Sequence, residues 1–428
     1  MNKPNNQSSL ETWVDWLLHL HAKEIDLGLT RISQVANDMD LLRPAPIVIT
    51  VAGTNGKGSS VAMLASILEA SGYRVGTYTS PHIVSFTERI RINGKPVCEH
   101  QIVEAFNQIE IDRQNTKLTY FEFATLAALS VFKAHSLDVV VLEVGLGGRL
   151  DAVNVVDADA TLITAIDIDH VEWLGDNRSV IATEKAGVMR TEQLSVCSDP
   201  DVPNSLIEHA DNLKTELYVL NRDYHVEMLD CGWRLNTENS TAAYEKPALK
   251  GDFQIQNAAG VVTLLKKLAE RYPQIEIFDS TIDTGLKQVA HAGRLEQRDV
   301  DGQFWLIDVA HNPQSAKVLA DYLQTQNASG LTAIFSALSD KDMVPMVRVI
   351  KPFVKQWHIA DLAIPRSSDL QKLQTVLAQA GIDASQVVEH ANVNQTVHAV
   401  KLQKQSSVLV WGSFFTVAQT IEALEKVG

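Results

Sequence analysis

The stretch "VAGTNGKGSS" (51–60) constrains the chain most strongly, because it stands between an apolar run, "PIVIT" (46–50), and a helix-like segment, "VAMLASILEASG" (61–72). Strand, glycine-rich turn and helix in succession make a phosphate cradle. Gly53, Gly56 and Gly58 let the backbone bend and approach a phosphate without side-chain clash. Backbone N–H groups and the helix N-terminus supply positive potential there, and Lys57 adds a mobile charge. The stretch departs from the usual nucleotide-loop spacing G-x-x-x-x-G-K-[ST]. Val51 stands at the first glycine, and Gly58 follows Lys57 where a hydroxyl that holds Mg²⁺ is usual. A purely structural turn is the plain alternative, but the flanking strand and helix, with Lys57 and Ser59, favour phosphate. Any metal must then be held from elsewhere.

Candidates stand where apolar strands end. "TSPH" (79–82) offers Ser80 and His82, "VLEVGLGG" (141–148) offers Glu143 and a glycine-rich bend, and "TAIDIDH" (164–170) offers Asp167, Asp169 and His170. Hydroxyl, carboxylate and imidazole converging on one sheet edge can coordinate a divalent ion. Singly, Glu143 could be a salt-bridged core carboxylate and His170 a loop histidine. Lys185, in "ATEKAGVM", reads from spacing alone as half of an exposed Glu-Lys pair. Arg294 in "AGR" and Asp308, His311 and Asn312 in "LIDVAHNP" suit phosphate and ribose, but by themselves read more readily as a capped strand end.

The pattern around these motifs predicts an α/β protein. Unalternated Val/Ile/Leu runs at 46–52, 73–79, 138–144 and 160–167 suit strands of a parallel sheet buried on both faces. Helices are expected at 121–136, 178–189 and 252–272, the last with Asp252 as N-cap, and hairpins or surface loops at 221–250. A second α/β series has strands at 303–310, 331–337, 356–360 and 406–412, with helices from Pro313 and from 342 and one closing the chain. At 428 residues two domains are expected. The charged stretch "HAGRLEQRDVDG" places the boundary near 295–300, giving domains 1–297 and 298–428.

Charge narrows the partners. A formal charge of −15 disfavours a nucleic-acid footprint, which needs clustered Lys and Arg. The three cysteines fit no metal spacing and suit reduced thiols. The first twenty residues lack the apolar core of a signal peptide, and no run approaches the roughly 20 apolar residues of a membrane span. A cytoplasmic protein, monomeric and without membrane partners, is expected.

Taken in order, "GTNGKGS", "SPH", "ERIRING", "TYFEFAT", "EVGLGGRLDAVN", "DHVEWLG", "EKAGVMR" and "DVAHNP" resemble the folylpolyglutamate synthases of the Mur-ligase superfamily, which form amides with ATP. The likeness runs from about residue 20 to the end. "HAKEIDLGLTRI" and "LLRPAP" resemble most the bacterial bifunctional branch that also makes dihydrofolate. It implies a P-loop, Mur-ligase-like ATPase domain with a parallel sheet and a smaller Rossmann-like C-terminal domain that binds glutamate and closes over ATP. Thr54, Asn55, Gly56, Lys57, Gly58 and Ser59 would hold ATP phosphates, with Asn257, Arg294, Asp308, His311 and Asn312 as further ATP contacts. Ser80, Glu143 and His170 would bind Mg²⁺. Lys185 would be the family's carbamylated lysine at a second Mg²⁺, which reverses the reading from spacing. Lys57, Lys185, His170, Arg294 and His311 would carry the catalysis. K⁺ or another monovalent cation is a further cofactor the family suggests. The pterin would sit against Ile25, Asp26, Leu27, Thr119, Tyr120, Phe121, Glu122, Leu150, Asp151 and Ala152. The substrates implied are dihydropteroate, reduced folates, L-glutamate and ATP. Two residues depart from the family pattern: Val153 in "DAVN", where threonine is usual, and Ala292 in "HAGR", where proline is usual. Folylpolyglutamate synthesis alone, a nucleotide-dependent switch, or a ligase of cell-wall precursors are the rival readings.

Overall fold

The computed structural model describes residues 3–21, 25–404 and 407–425, so Ala22–Glu24 of the "HAKEIDLGLTRI" motif and Ser406 of the last expected strand lie outside it. The chain divides into two units: Met1–Pro81 with Phe86–Ala248 and Gln254–Ala290, and His82–Ser85 with Leu249–Phe253 and His291–Gly428. The described residues contain no helix long and apolar enough to cross a membrane.

The first unit is built on eight strands: β1 (Ile47–Ala52), β2 (Val75–Tyr78), β3 (Ile90–Ile92), β4 (Lys95–Pro96), β5 (Val139–Glu143), β6 (Ala160–Ile163), β7 (Leu194–Cys197) and β8 (Glu216–Val219). Their order across the sheet is β4-β3-β2-β5-β1-β6-β7-β8. Strands β2, β5, β1, β6, β7 and β8 run parallel, and β3 and β4 are antiparallel additions at one edge. Every residue of β1, "IVITVA", and of β5, "VVVLE", is buried, as strands covered on both faces must be. The edge strand β4 is exposed and carries Pro96, which ends the hydrogen-bond ladder.

One face of this sheet is covered by an aromatic-rich cluster. Trp13 of the helix Leu10–Leu20, Phe106 of Glu99–Asp112 and Phe123 of Tyr120–Ala134 all lie in one core with Val48 and Val140. Trp13–Phe106 and Phe106–Phe123 ring centroids are 5.8 and 5.6 Å apart, the spacing of favourable aromatic pairs. Among the helices of the unit, Lys57–Ala70 packs so closely on Asp279–Gln288 that a Cβ at Gly285 would lie 2.5 Å from the Ile67 Cα.

The strand order reverses at β1. The chain leaves β1 toward β2 and later returns as β6 on β1's other side, with β5 inserted between β2 and β1. Such a switch point opens a crevice at the carboxyl ends of the strands, where ligands of α/β sheets bind.

The remaining strands are β9 (Tyr224–Leu229), β10 (Gly232–Thr237), β11 (Thr241–Tyr244), β12 (Glu296–Val300), β13 (Gln303–Ile307), β14 (Leu331–Phe335), β15 (Val354–Ala360), β16 (Val387–His390) and β17 (Val408–Trp411). The polar stretch 221–250 resolves into an antiparallel sheet, β11-β10-β9. The second unit holds a six-stranded sheet, β12-β13-β17-β14-β15-β16, parallel except for β12. The charged stretch read as a linker therefore contains β12, which pairs Glu296–Val300 against Ile307–Gln303. Its alternating exposure, one face partly covered and one in solvent, is why charge dominates its sequence.

Within that unit His358 of β15 is buried and its Nδ1 lies 2.8 Å from Nε2 of His390 on β16. Burial, and then the neighbouring imidazole, hold His358 at about 4. A histidine whose pKa falls on folding binds its proton in the unfolded chain first, so this pair stabilises the fold fully above pH ~6.5 and loses that contribution as pH falls toward 4. Urea unfolding followed by tryptophan fluorescence between pH 4 and 7 should therefore show a shallower pH slope in His358→Gln, by up to about one proton; an unchanged slope contradicts the assignment.

Candidate active site

Strand β1 ends at Ala52, and the loop that follows turns through two glycines in the left-handed region, Gly53 at φ +151° and Gly56 at φ +92°. Neither tolerates a side chain. A Cβ at Gly53 would meet Thr164 Oγ1 at 1.8 Å, and one at Gly56 would meet Asn257 Oδ1 at 2.6 Å. Gly56 caps the helix Lys57–Ala70, so the expected strand, turn and helix are all present. Lys57, Gly58 and Ser59 form its first turn, where the helix presents its positive end.

The loop is stitched to the segment after β6. Thr54 N donates to Ala165 O at 2.7 Å, and Asn55 N does so at 3.4 Å. The Thr54 hydroxyl donates to Asp167 O at 2.9 Å and accepts from Asp167 N at 3.0 Å. The Thr54 hydroxyl is thereby committed to the segment after β6. Ser59 Oγ accepts from Gln254 Nε2, and Gln254 in turn accepts from Asn257 Nδ2, which places Asn257 against the loop.

Two lysines converge on one carbonyl. Lys57 Nζ donates to Gly53 O and Thr54 O, each at 3.1 Å, and Lys185 Nζ donates to Gly53 O at 2.8 Å. Lys185 is not on an exposed pair: it is 3 % exposed, on the inner face of the helix Arg178–Ala186, while its neighbour Glu184 pairs with Arg149. Burial first, and the Lys57 charge second, bring its amine down to about 7, with Asp169 and Asp151 opposing. An amine this close to neutral is a nucleophile at physiological pH.

Glu143 closes β5 in register with Val51 of β1, is 4 % exposed, and accepts from Ser80 N at 3.1 Å. The carboxyl ends of β2 and β5 are thereby joined. His170 follows β6 with φ +52° at the start of the short helix Val171–Leu174. Among the described residues no three His, Cys, Asp or Glu side chains gather around one point. The expected metal set contains only two of those types, Glu143 and His170, with a hydroxyl and a lysine carbamate completing it. Hard oxygen donors and one imidazole are nonetheless the chemistry Mg²⁺ and Mn²⁺ accept.

The residues expected to face the pterin come from three segments. Thr119 caps the helix Tyr120–Ala134 reciprocally with buried Glu122. Phe121 packs 6.0 Å from Tyr78 and against Gly145, where a Cβ would lie 2.5 Å from its ring. Tyr120 lies under the guanidinium of buried Arg89, 5.4 Å from the ring centroid. Asp151 is buried, which pushes its carboxyl up to about 6 against the pull of backbone donors. Its oxygens accept from Leu146 N at 2.8 Å and Val153 N at 2.9 Å, so it both folds the glycine-rich bend and caps the turn Ala152–Val155. Asn154 Nδ2 donates to Arg149 O and Gly187 O, and Val153, the odd residue of "DAVN", is fully buried and apolar there.

In the second unit Asp308 follows β13, buried, and accepts from Leu295 N and Ala310 N; burial raises its carboxyl and Arg294 opposes that rise. Arg294 stacks on Phe414 at 5.5 Å and His311 packs on the same ring at 5.6 Å. His311 Nδ1 lies 2.9 Å from Val309 O. Asn312 is the N-cap of the helix Pro313–Thr325, its Oδ1 accepting from Ser315 N.

Comparison with known proteins decides the family. The Mur ligase middle domain matches residues 51–265, and the Mur ligase glutamate ligase domain matches residues 293–414. The dihydrofolate synthase/folylpolyglutamate synthase of Escherichia coli is 36% identical over 99% of this chain and 97% of its own length. The chain belongs to the dihydrofolate synthase/folylpolyglutamate synthase family of Mur ligases. The Bacillus subtilis relative of the same name is 31% identical over 97% of this chain and 98% of its own. Among solved structures, E. coli FolC in complex with DHPP and ADP superposes with a TM-score of 0.91 at 36% identity, covering 99% of this chain and all of that one. A bifunctional folylpolyglutamate synthase/dihydrofolate synthase with Mn, AMPPNP and L-glutamate bound superposes with a TM-score of 0.89 at 37% identity, with 99% and 100% covered.

Residues that no motif announced brace the segments that carry the expected site. Arg178, at the start of the helix that carries Lys185, donates Nε to Ile166 O at 3.0 Å and contacts Asp199; Asp199 accepts from Ile166 N at 2.6 Å. Together they clamp the segment that leads to His170. Their separation in sequence hides them, although "SDPD" at the end of β7 is a further carboxylate-bearing strand end. Phe414 likewise carries Arg294 and His311 without being legible as anything but core. Because the Thr54 hydroxyl makes both bonds to Asp167, Thr54→Val should destabilise the ligase by about 1–3 kcal/mol in urea unfolding, while Thr54→Ser retains most of it. A loss in Thr54→Ser with none in Thr54→Val would show that the methyl, not the hydroxyl, matters.

Proposed function

We propose that the chain joins L-glutamate to dihydropteroate and to reduced folyl-(poly)glutamates, at the expense of ATP, with ADP and phosphate released. A carboxylate does not condense with an amine in water until its oxygen becomes a leaving group. Transfer of the γ-phosphoryl group to the pteroate or folate carboxylate gives an acyl phosphate and ADP. Attack by the glutamate amine on the acyl carbon gives a tetrahedral intermediate that expels phosphate and leaves the amide.

Within this reading Asn55–Ser59 hold the phosphates by backbone N–H groups and the helix N-terminus, and Lys57 neutralises charge on the transferring group. Ser80, Glu143 and His170 are the residues that would hold one divalent ion, and Lys185, as a carbamate, a second. Such ions, when bound, withdraw charge from the phosphoryl oxygens. A monovalent cation beside Lys185 is a further element of the proposal. Ile25–Leu27, Thr119–Glu122 and Leu150–Ala152 are assigned to the pteroate wall, and Asn257, Arg294, Asp308, His311 and Asn312 to ATP. Glutamate is assigned to the second unit, whose match is to a glutamate ligase domain.

The observation that carries the proposal is the buried Lys185 amine, held to about 7 beside Lys57 on the Gly53 carbonyl. An ammonium there is disfavoured by burial and by its neighbour. Addition of CO₂ to the neutral amine, with loss of one proton, converts an unwelcome cation into an anion that a divalent metal and Lys57 both favour. A simple phosphate-binding switch has no use for this arrangement.

The decisive assay incubates purified protein with ATP, Mg²⁺, glutamate and either dihydropteroate or a reduced folate, and weighs the products. A gain of one glutamate residue with each acceptor is expected; nucleotide turnover indifferent to both acceptors contradicts the reading. Lys185→Ala should lower turnover by about 10³-fold or more, the scale on which essential charge-stabilising groups act, and short carboxylic acids should restore part of it. Full activity in that variant removes the carbamate from the mechanism.

A further inference from the structure

The three segments of the pteroate wall are far apart in sequence, and something must hold them in one geometry. The geometry points to Arg31 as the positioning residue of that wall. Its side chain, on the helix Thr30–Asp38, is three-quarters buried between two carboxylates. Nε donates to Glu122 Oε2 at 2.9 Å, Nη1 donates to Asp26 Oδ2 at 2.7 Å, and Nη2 donates to the Asp26 carbonyl. One planar fork thus ties the segment 25–28 to the start of the helix Tyr120–Ala134, across 91 residues of sequence.

The link continues on both sides. The Glu122 oxygen that receives Arg31 also accepts from Thr119 N at 2.8 Å and Thr119 Oγ1 at 3.0 Å, so the charge pair sets the entry of the chain into that helix. On the other side Gly28 N donates to Leu150 O at 3.4 Å, which joins the third segment. Glu122 is 3 % exposed, and a carboxylate so buried depends strongly on its charged donor. Lysine could not replace the fork, because an ammonium is a point charge that cannot serve Glu122, Asp26 Oδ2 and the Asp26 carbonyl in one plane. Arg31 donates to Asp26 and Glu122, both assigned to the pteroate wall, so its loss should loosen acceptor binding and spare phosphoryl transfer.

This inference rests on the wall assignment made under the proposed function, and the test separates the two. In the full chain, Arg31→Gln should raise the KM for dihydropteroate about 10- to 100-fold, as misplacement of a binding wall by about 1 Å does, with kcat and the KM for ATP within about 2-fold of wild type. Arg31→Lys keeps the charge in its semi-buried place and should still raise that KM severalfold, which preserves the test if Arg31→Gln fails to fold. Wild-type KM for dihydropteroate in either variant, or a parallel rise in the KM for ATP, overturns the role of Arg31. Phe121→Ala reports on the wall itself. If it raises the dihydropteroate KM while Arg31→Gln does not, only the positioning role falls; if it leaves that KM unchanged, the wall assignment falls and the inference with it.

Discussion

The Gly53 carbonyl oxygen is the point about which the nucleotide end of the first unit is organised. It closes β1, receives both Lys57 and Lys185, and sits in a residue whose φ and surroundings exclude any side chain. Two cationic side chains on one acceptor in a buried place cannot both remain charged without penalty. The more deeply buried Lys185 yields, and its position on the inner face of its helix follows from the helix's packing on the core below β6. From that local conflict the site's chemistry follows: an amine whose pKa is brought down to about 7 beside the glycine loop, with carboxylates at the neighbouring strand ends.

The parallel sheet supplies the geometry. Because β2, β5, β1 and β6 run in one direction, their carboxyl ends lie on one edge, where Glu143 ends β5 and the segments after β2, β1 and β6 carry Ser80, the glycine loop and His170. Hydrogen bonds then lock the segments to each other: Ser80 to Glu143, Thr54 to Asp167, Ile166 to Asp199 and Arg178. Away from this edge, the Arg31 guanidinium ties Asp26 to Glu122, a single side chain in place of many backbone bonds. Both arrangements place chemistry on short irregular segments and stiffness in the strands and helices beneath them.

The parts of this fold that were legible in the chain are those with strong one-dimensional signals. The buried runs of β1 and β5 are continuous in Val, Ile and Leu, and Asn312-Pro313 starts a helix by capping and fixed φ. Weaker signals failed. Strands β7 and β8 are four residues each, β3 and β4 shorter still, and β12 is charged because one of its faces meets water. Lys185 shows the same limit in the site: beside Glu184 in sequence it reads as a surface pair, but the 100° turn per helical residue sends the two side chains to different environments.

What the sequence determined by itself is the local chemistry: the glycines that only a positive φ can use, the lysine that follows them, the strand-end carboxylates, and the family that their order resembles. Tertiary structure alone decided which of those groups meet. Lys185 and Lys57 share an acceptor 132 and 4 residues away, and Arg31 bridges 91 residues. Side chains that distant are brought within 3 Å only by sheet order and helix packing, and their pKa values depend on how much water that packing removes. Local propensity carries no record of either quantity.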